Sequence, residues 1–295
     1  MKQEWATRPE RSNVWVIRLV VWLALTFGRR ACRPLLYPIS LYFLIFSVSA
    51  RAASRKYLDR VLGRRSVLRD GFRHCFSFAS TILDRVFLLS DQSALLDIRS
   101  EGEEIFDAIR AEGRGCLLLG AHLGSFEVIH ALSRDHHHPR TSMVMYEENA
   151  RKINSVLSSI NPGRNPPVIS LGRVDSMLKI QEALQRGEYI GMLADRTISG
   201  NKLIRVDFLG GQIDLPVTPF RLASILGCPV VLMVGLYQGS NRYNVHFEHL
   251  IDPVQSAQLE RDAAIRQAAQ KFAARLEHYC RQAPYNWFNF YDIWQ

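Results

Sequence analysis

One short run limits what this chain can fold into more than any other. Gly115-Cys116-Leu117-Leu118-Leu119-Gly120 places four apolar residues between glycines, the pattern of a short strand buried on both faces. Ala121-His122 follows at once, and Leu123-Gly124-Ser125 reads as a turn into a helix that begins near Phe126. A histidine at the carboxyl end of a buried strand, with Glu127 five residues on, suits a general base and its orienting partner. The carboxylate would accept from one ring nitrogen and leave the other free to take a proton. The same spacing also fits a half-buried histidine near a solvated first-turn glutamate held by the helix dipole.

After this run, strand and helix signals alternate. Met143–Tyr146, Pro167–Ser170, Tyr189–Ala194, Pro229–Leu236 and Tyr243–Ile251 are strand candidates. Asn149–Ile160, Ser176–Gln185, Pro219–Leu226 and the long amphipathic Ala257–Gln282 have helical periodicity, with stops at Gly187, Gly227 and Pro284. Such alternation predicts an α/β fold, with a mostly parallel central sheet flanked by helices. Upstream, residues 51–110 read as helical, with a glycine stop at Gly63 and a strong helical stripe from Val67 to Leu89.

The charge distribution divides the chain. Residues 1–85 hold 16 Lys/Arg and 5 Asp/Glu, a balance of +11, whereas the remainder holds 21 against 23. The basic excess shares its third of the chain with two apolar segments, Val14–Phe27 and Pro34–Ala50. Basic and apolar character together favour a membrane surface over nucleic acid. Neither segment reaches the roughly 20 apolar residues of a full span, and Pro38 interrupts the second. The expected division is therefore 1–65 as membrane-associating helices and 66–295 as the α/β domain. Ordinary core helices, or one anchor over Leu35–Ala50, are the competing readings. Glu4 and Glu10 ahead of the first segment argue against a cleavable signal.

In an open α/β sheet, ligands bind beyond the carboxyl ends of the strands. Reading those ends in turn yields His122, Tyr146 with Asn149, Arg173, and Asp195-Arg196. Tyr146 and Asn149 serve equally well as caps or surface groups. The run His136-His137-His138 invites a metal, but adjacent histidines converge poorly on one ion and no nearby cysteine supports them. Cys32, Cys75, Cys116, Cys228 and Cys280 are scattered, without a zinc or disulfide pattern. No Gly-x-Ser-x-Gly elbow or phosphate loop occurs. No cofactor and no metal are expected.

Gly120-Ala121-His122-Leu123-Gly124-Ser125-Phe126-Glu127 resembles the His-x-x-x-x-acid motif of the glycerolipid and lipid A acyltransferases. Its glutamate is similar to that of the bacterial lipid A late-acyltransferase branch. The resemblance runs from about Trp15 to about Trp287. It implies a glycerolipid acyltransferase-like fold, His122 and Glu127 as the catalytic pair, and an arginine before a helix near Arg173. An Asp-containing motif at Asp195, with Arg196 beside it, would organise the site. The blocks Arg205–Gly211 and Leu215–Pro219 fall in the family's order. Asp195-Arg196-Thr197 and Trp287-Phe288-Asn289-Phe290-Tyr291 depart from its acidic, histidine-containing cluster and its Trp-x-His-x-Arg-type ending. These departures turn the acceptor away from a lipid A precursor. They favour a standalone relative of the kind found in aryl-polyene pigment clusters.

The expected function is acyl transfer from acyl-carrier protein or acyl-CoA to a hydroxyl or amine of a lipid acceptor, at the cytoplasmic side of the inner membrane. Arg173, Asp195, Arg196, Tyr146, Asn149 and Ser125 are the substrate-binding candidates. A thioester hydrolase using the same pair, and a catalytically silent membrane-binding protein, stay open as alternatives.

Overall fold

The computed structural model describes residues 14–135, 139–145, 160, 167–171, 175–196, 202–251 and 258–294. The glycine-bounded run forms β2 (Cys116–Gly120), buried at every position. It lies within a seven-stranded sheet of order β1 (Asp97–Glu101), β9 (Arg242–Ile251), β8 (Val230–Tyr237), β2, β5 (Tyr189–Leu193), β3 (Thr141–Met145) and β4 (Val168–Ser170). From β8 to β4 all neighbours are parallel. Strand β9 turns back antiparallel to β8, and β1 runs parallel to β9. The sheet is thus mostly parallel, as expected, with a reversed pair at one edge.

Alternate residues of β2 enter different cores. Leu117 and Leu119 pack with α3 (Val48–Leu62), α7 (Ser176–Gln185), α8 (Thr218–Leu226) and α9 (Gln258–Gln282). Cys116 and Leu118 face α5 (Glu104–Ala111) and α6 (Phe126–Asp135). Helices therefore cover both faces, which is why the central strands are apolar throughout while β9 and β1 alternate. A separate hairpin, β6 (Leu203–Phe208) and β7 (Gly211–Pro216), packs on α9. Its tip, Leu209-Gly210, takes φ of 48° and 69°, the twist that a two-residue hairpin turn requires.

The expectation of helix throughout 51–110 is corrected here. Strand β1 lies inside that span and α5 follows it. Asp-Ile-Arg-Ser-Glu has too little apolar content to announce a strand, and its pairing comes from β9, far along the chain. Elsewhere the local stops act as read: Gly63 and Gly227 end α3 and α8 in the left-handed conformation.

The N-terminal helices are α1 (Val14–Cys32), kinked at Gly28 with φ +80°, and α2 (Leu36–Phe46). Pro38 sits in the first turn of α2, where its missing N–H breaks no helical bond. Cys32, Leu36, Ser40 and Leu44, each four residues on, form the buried stripe of this segment. Its core includes Leu83, Val86 and Phe87 of α4 (Leu68–Leu89). Arg29 is held to Asp84 of α4 by two hydrogen bonds of 2.6 and 3.0 Å, and Tyr243 donates to the same carboxylate at 2.7 Å. Beside this stripe Leu19, Trp22, Leu41, Tyr42, Ile45 and Phe46 are exposed. Among the described residues no single helix is long and apolar enough to cross a membrane. Only Arg18–Phe46 with Val48–Leu62, bent by 96°, together meet that length and composition.

Candidate active site

Strand β2 delivers His122 to the carboxyl edge of the sheet, and β5 delivers Asp195 beside it. Hydrogen bonds to neighbouring strands and to the C-terminal segment fix the turn between them. His122 N–H donates to Asp195 Oδ2 at 3.0 Å, and His122 C=O accepts from Phe288 N–H at 2.7 Å. Gly124 N–H donates to Asn286 C=O at 2.9 Å, and Ser125 N–H to Gly235 C=O at 2.8 Å. Gly124 has φ +72°, and a Cβ there would meet Gly235 O at 1.8 Å. Only glycine lets the turn pass so close to β8.

The His122 ring is oriented by Asp195. Nδ1 lies 2.8 Å from Asp195 Oδ1. A carboxylate only accepts, so Nδ1 carries the proton and the Nε2 lone pair remains for a substrate proton. Asp195 is itself held from three sides. Its Oδ2 accepts from His122 N–H, from Trp287 Nε1 at 3.0 Å and from Asn289 Nδ2 at 2.8 Å, and its side chain has no exposure. Burial alone would raise this carboxyl group. The charge and hydrogen bonds of His122, with Arg196 next, pull it instead well below the usual carboxylate range. Burial and then the Arg196 cation hold His122 below the ordinary imidazole value, against the upward pull of Asp195. His122 is therefore neutral at neutral pH, with 28% of its side chain exposed.

Glu127, expected as the orienter, has different partners. Its Oε1 pairs with Arg85 Nε of α4 at 2.7 Å, and its Oε2 accepts from Ser125 Oγ at 3.2 Å. It stays close enough for its charge to raise the His122 pKa, but among the described residues its hydrogen bonds run to Ser125. The separation in sequence misleads because one helical turn after Gly124 aims Glu127 towards α4, whereas β5 reaches the ring through Asp195. Ser125 is buried, and its hydroxyl is spent on Glu127.

Arg196 is fixed by the C-terminal segment rather than by a hydrogen bond to Asp195. Nε donates to Asn289 Oδ1 at 2.8 Å and a terminal nitrogen donates to Phe288 C=O at 3.1 Å. The guanidinium lies 5.9 Å from the centre of the Tyr291 ring. His74 of α4 completes the anchorage, 2.8 Å from Trp287 O through Nε2 and 2.7 Å from Ser54 Oγ through Nδ1. Burial lowers its pKa to about 4. The bond to a carbonyl therefore assigns the proton of the neutral ring to Nε2.

Tyr146, Asn149, Arg173 and His136–His138 lie outside the described residues. Among the described residues no group of three or more His, Cys, Asp or Glu could hold a metal ion. Sequence reading missed the anchoring roles of Asn286, Trp287 and Asn289, and the Arg85 partner of Glu127. The signal available was the block Trp287–Tyr291 itself, polar and aromatic after the last helix.

A partly exposed, neutral histidine beside a shielded carboxylate is compatible with several proton-abstracting chemistries, and the comparisons narrow them. A search among curated proteins returns no match. The family model described as "Bacterial lipid A biosynthesis acyltransferase" matches residues 1–295. That match spans the whole chain, the strand-end histidine and the C-terminal anchors included. The chain therefore belongs to the bacterial lipid A biosynthesis acyltransferase family, and it is an acyltransferase that moves an acyl group from a donor to a lipid acceptor.

Proposed function

We propose that the protein is a membrane-associated lipid acyltransferase in which His122 and Asp195 form the proton-transfer pair. The observation that carries this reading is the His122 Nδ1–Asp195 contact of 2.8 Å, with the ring kept neutral and partly exposed. Nε2 removes the proton from an acceptor hydroxyl or amine as that oxygen or nitrogen attacks the thioester carbon. The carbon–sulfur bond then breaks, and the imidazolium returns its proton to the departing thiolate. Asp195 stabilises the transient imidazolium. No covalent acyl-enzyme is required.

Glu127, braced by Arg85 and Ser125, supplies a second negative charge that favours the imidazolium. Arg196, aligned by Asn289, and Arg173 are the cations assigned to the thioester oxyanion or to a phosphate of donor or acceptor. Tyr146 and Asn149 complete the substrate-binding set. The donor is an acyl-carrier protein or acyl-CoA thioester. The exposed aromatic and aliphatic side chains of α1 and α2, beside Arg18, Arg30, Arg33 and Arg51, fit the anionic interface on the cytoplasmic side of the inner membrane.

The test is thiol release and acyl-product mass spectrometry with both donors and a membrane-lipid extract, on wild type and His122→Ala. The reading expects a loss of about 10³-fold or more in His122→Ala. The wild-type rate should rise with pH and level off below the ordinary imidazole pKa. Turnover that survives the substitution would dismiss His122 as the base. Thioester cleavage without an acylated lipid product would assign the pair to hydrolysis.

A further inference from the structure

On the sheet face covered by α5 and α6 lies a small cavity that opens to solvent on one side. Phe106, Leu118, Phe126, Ile129, Met233 and Phe247 give it apolar walls. Four polar side chains line the same space, Glu103, His130, Thr141 and Tyr189, and all but His130 carry an atom left unpaired among the described residues. Their atoms Glu103 Oε1, Thr141 Oγ1 and the Tyr189 hydroxyl oxygen are each buried without a hydrogen-bond partner among the described residues. Thr141 is 9% exposed and Tyr189 2% exposed.

The fold brings these groups to one cavity. Thr141 and Tyr189 are register partners at the first positions of β3 and β5, so they stand on the same sheet face. The Tyr189 ring stacks on Phe106 of α5 with centroids 5.1 Å apart, which fixes where its hydroxyl lies. Glu103 immediately precedes α5. Buried polar groups are almost always hydrogen-bonded, because each loses water on folding and needs a replacement. Three orphans around one cavity therefore point to a shared ligand.

Their chemistry narrows it. Burial pushes the Tyr189 phenol up to about 12, so it is a neutral donor and acceptor, as is Thr141. The Glu103 carboxylate adds an acceptor and disfavours an anion. A hard cation would require more oxygen ligands than these three side chains provide. We propose that the cavity binds a hydroxyl group, carried by an internal water or a small alcohol, that links Glu103, Thr141 and Tyr189. The occupant would lie against Phe126, directly before Glu127, and so brace the start of the helix after His122. This site is independent of the catalytic assignment.

Tyr189→Phe and Thr141→Val each delete the polar atom with little change of shape. A hydroxyl linking the three groups predicts that each variant of the full chain melts about 2–4 °C lower than wild type. It also predicts electron density for an oxygen within hydrogen-bond distance of all three atoms in a high-resolution crystal structure. With 1-butanol as probe, a rise in Tm seen in wild type but absent from the double variant assigns the site to an alcohol. Equal responses of the two proteins, with the density present, assign it to water. A dry cavity predicts higher Tm in both variants, because an unpaired polar atom has been removed. That result, or a crystal structure without the density, would overturn the proposal.

Discussion

At the carboxyl ends of β2 and β5, polar side chains are buried: Asp195, Asn286 and Asn289 lie inside the protein, bonded to backbone or to one another. Along α1 and α2 the reverse holds, with Trp22 57%, Leu41 49% and Tyr42 51% exposed. Both regions depart from the ordinary inside–outside arrangement. In the first, buried polarity costs desolvation and is retained where a proton must be held at one atom. In the second, exposed apolar surface is unfavourable in water and becomes favourable against another apolar phase. On the proposed reading, the contrast separates chemistry, built by strands and the C-terminal segment, from docking, built by helices. The two meet at α4, on which α1 and α2 pack and whose His74 joins Ser54 of α3 to the Trp287 carbonyl.

The largest expected effect tests which carboxylate orients the base. Asp195→Asn should lower turnover by about 10³–10⁴-fold, because an amide no longer stabilises the imidazolium or enforces the tautomer. Glu127→Gln should cost less, since Ser125 and Arg85 rather than the ring are its partners. Steady-state kinetics of the two variants decide this, and a larger loss in Glu127→Gln would reverse the assignment.

Next comes the junction. A buried histidine whose pKa falls from 6.5 to about 4 binds its proton less readily folded than unfolded. It thus contributes about 3 kcal/mol of stability above pH 6.5, lost as pH drops from about 6.5 to about 4. Urea unfolding at pH 7 and pH 4 should show this loss in wild type and a shallower slope in His74→Gln. Equal slopes would remove His74 as the acid-sensitive link between the regions.

The smallest effect concerns docking. Trp22→Glu with Leu41→Glu should weaken binding to vesicles of anionic lipid by about tenfold, while the melting temperature hardly changes. Flotation assays measure the first and scanning calorimetry the second. Unchanged flotation would mean that this face meets protein instead of lipid.

Much of the architecture follows from local pattern. Four apolar residues between glycines specify a buried strand, and Gly63 and Gly227 stop their helices because a Cβ-free residue enters the left-handed region cheaply. His122 was legible as a strand-end histidine for the same reason. Strand β1 was not legible, because its apolar positions are too few and its partner is supplied by another part of the chain.

Sequence alone thus determined the alternation of strands and helices, the place of His122, and the segregation of basic and apolar residues in the first third. Tertiary structure decided which carboxylate meets the histidine. Asp195 lies 73 residues from His122 and Trp287 a further 92 beyond Asp195, and no local periodicity reports such a meeting. Glu127 is nearer in sequence, yet the turn at Gly124 and the start of α6 direct it to Arg85. Distance along the chain governs local conformation, whereas the hydrogen bonds of a buried polar group are settled by whatever strands and segments packing brings to it.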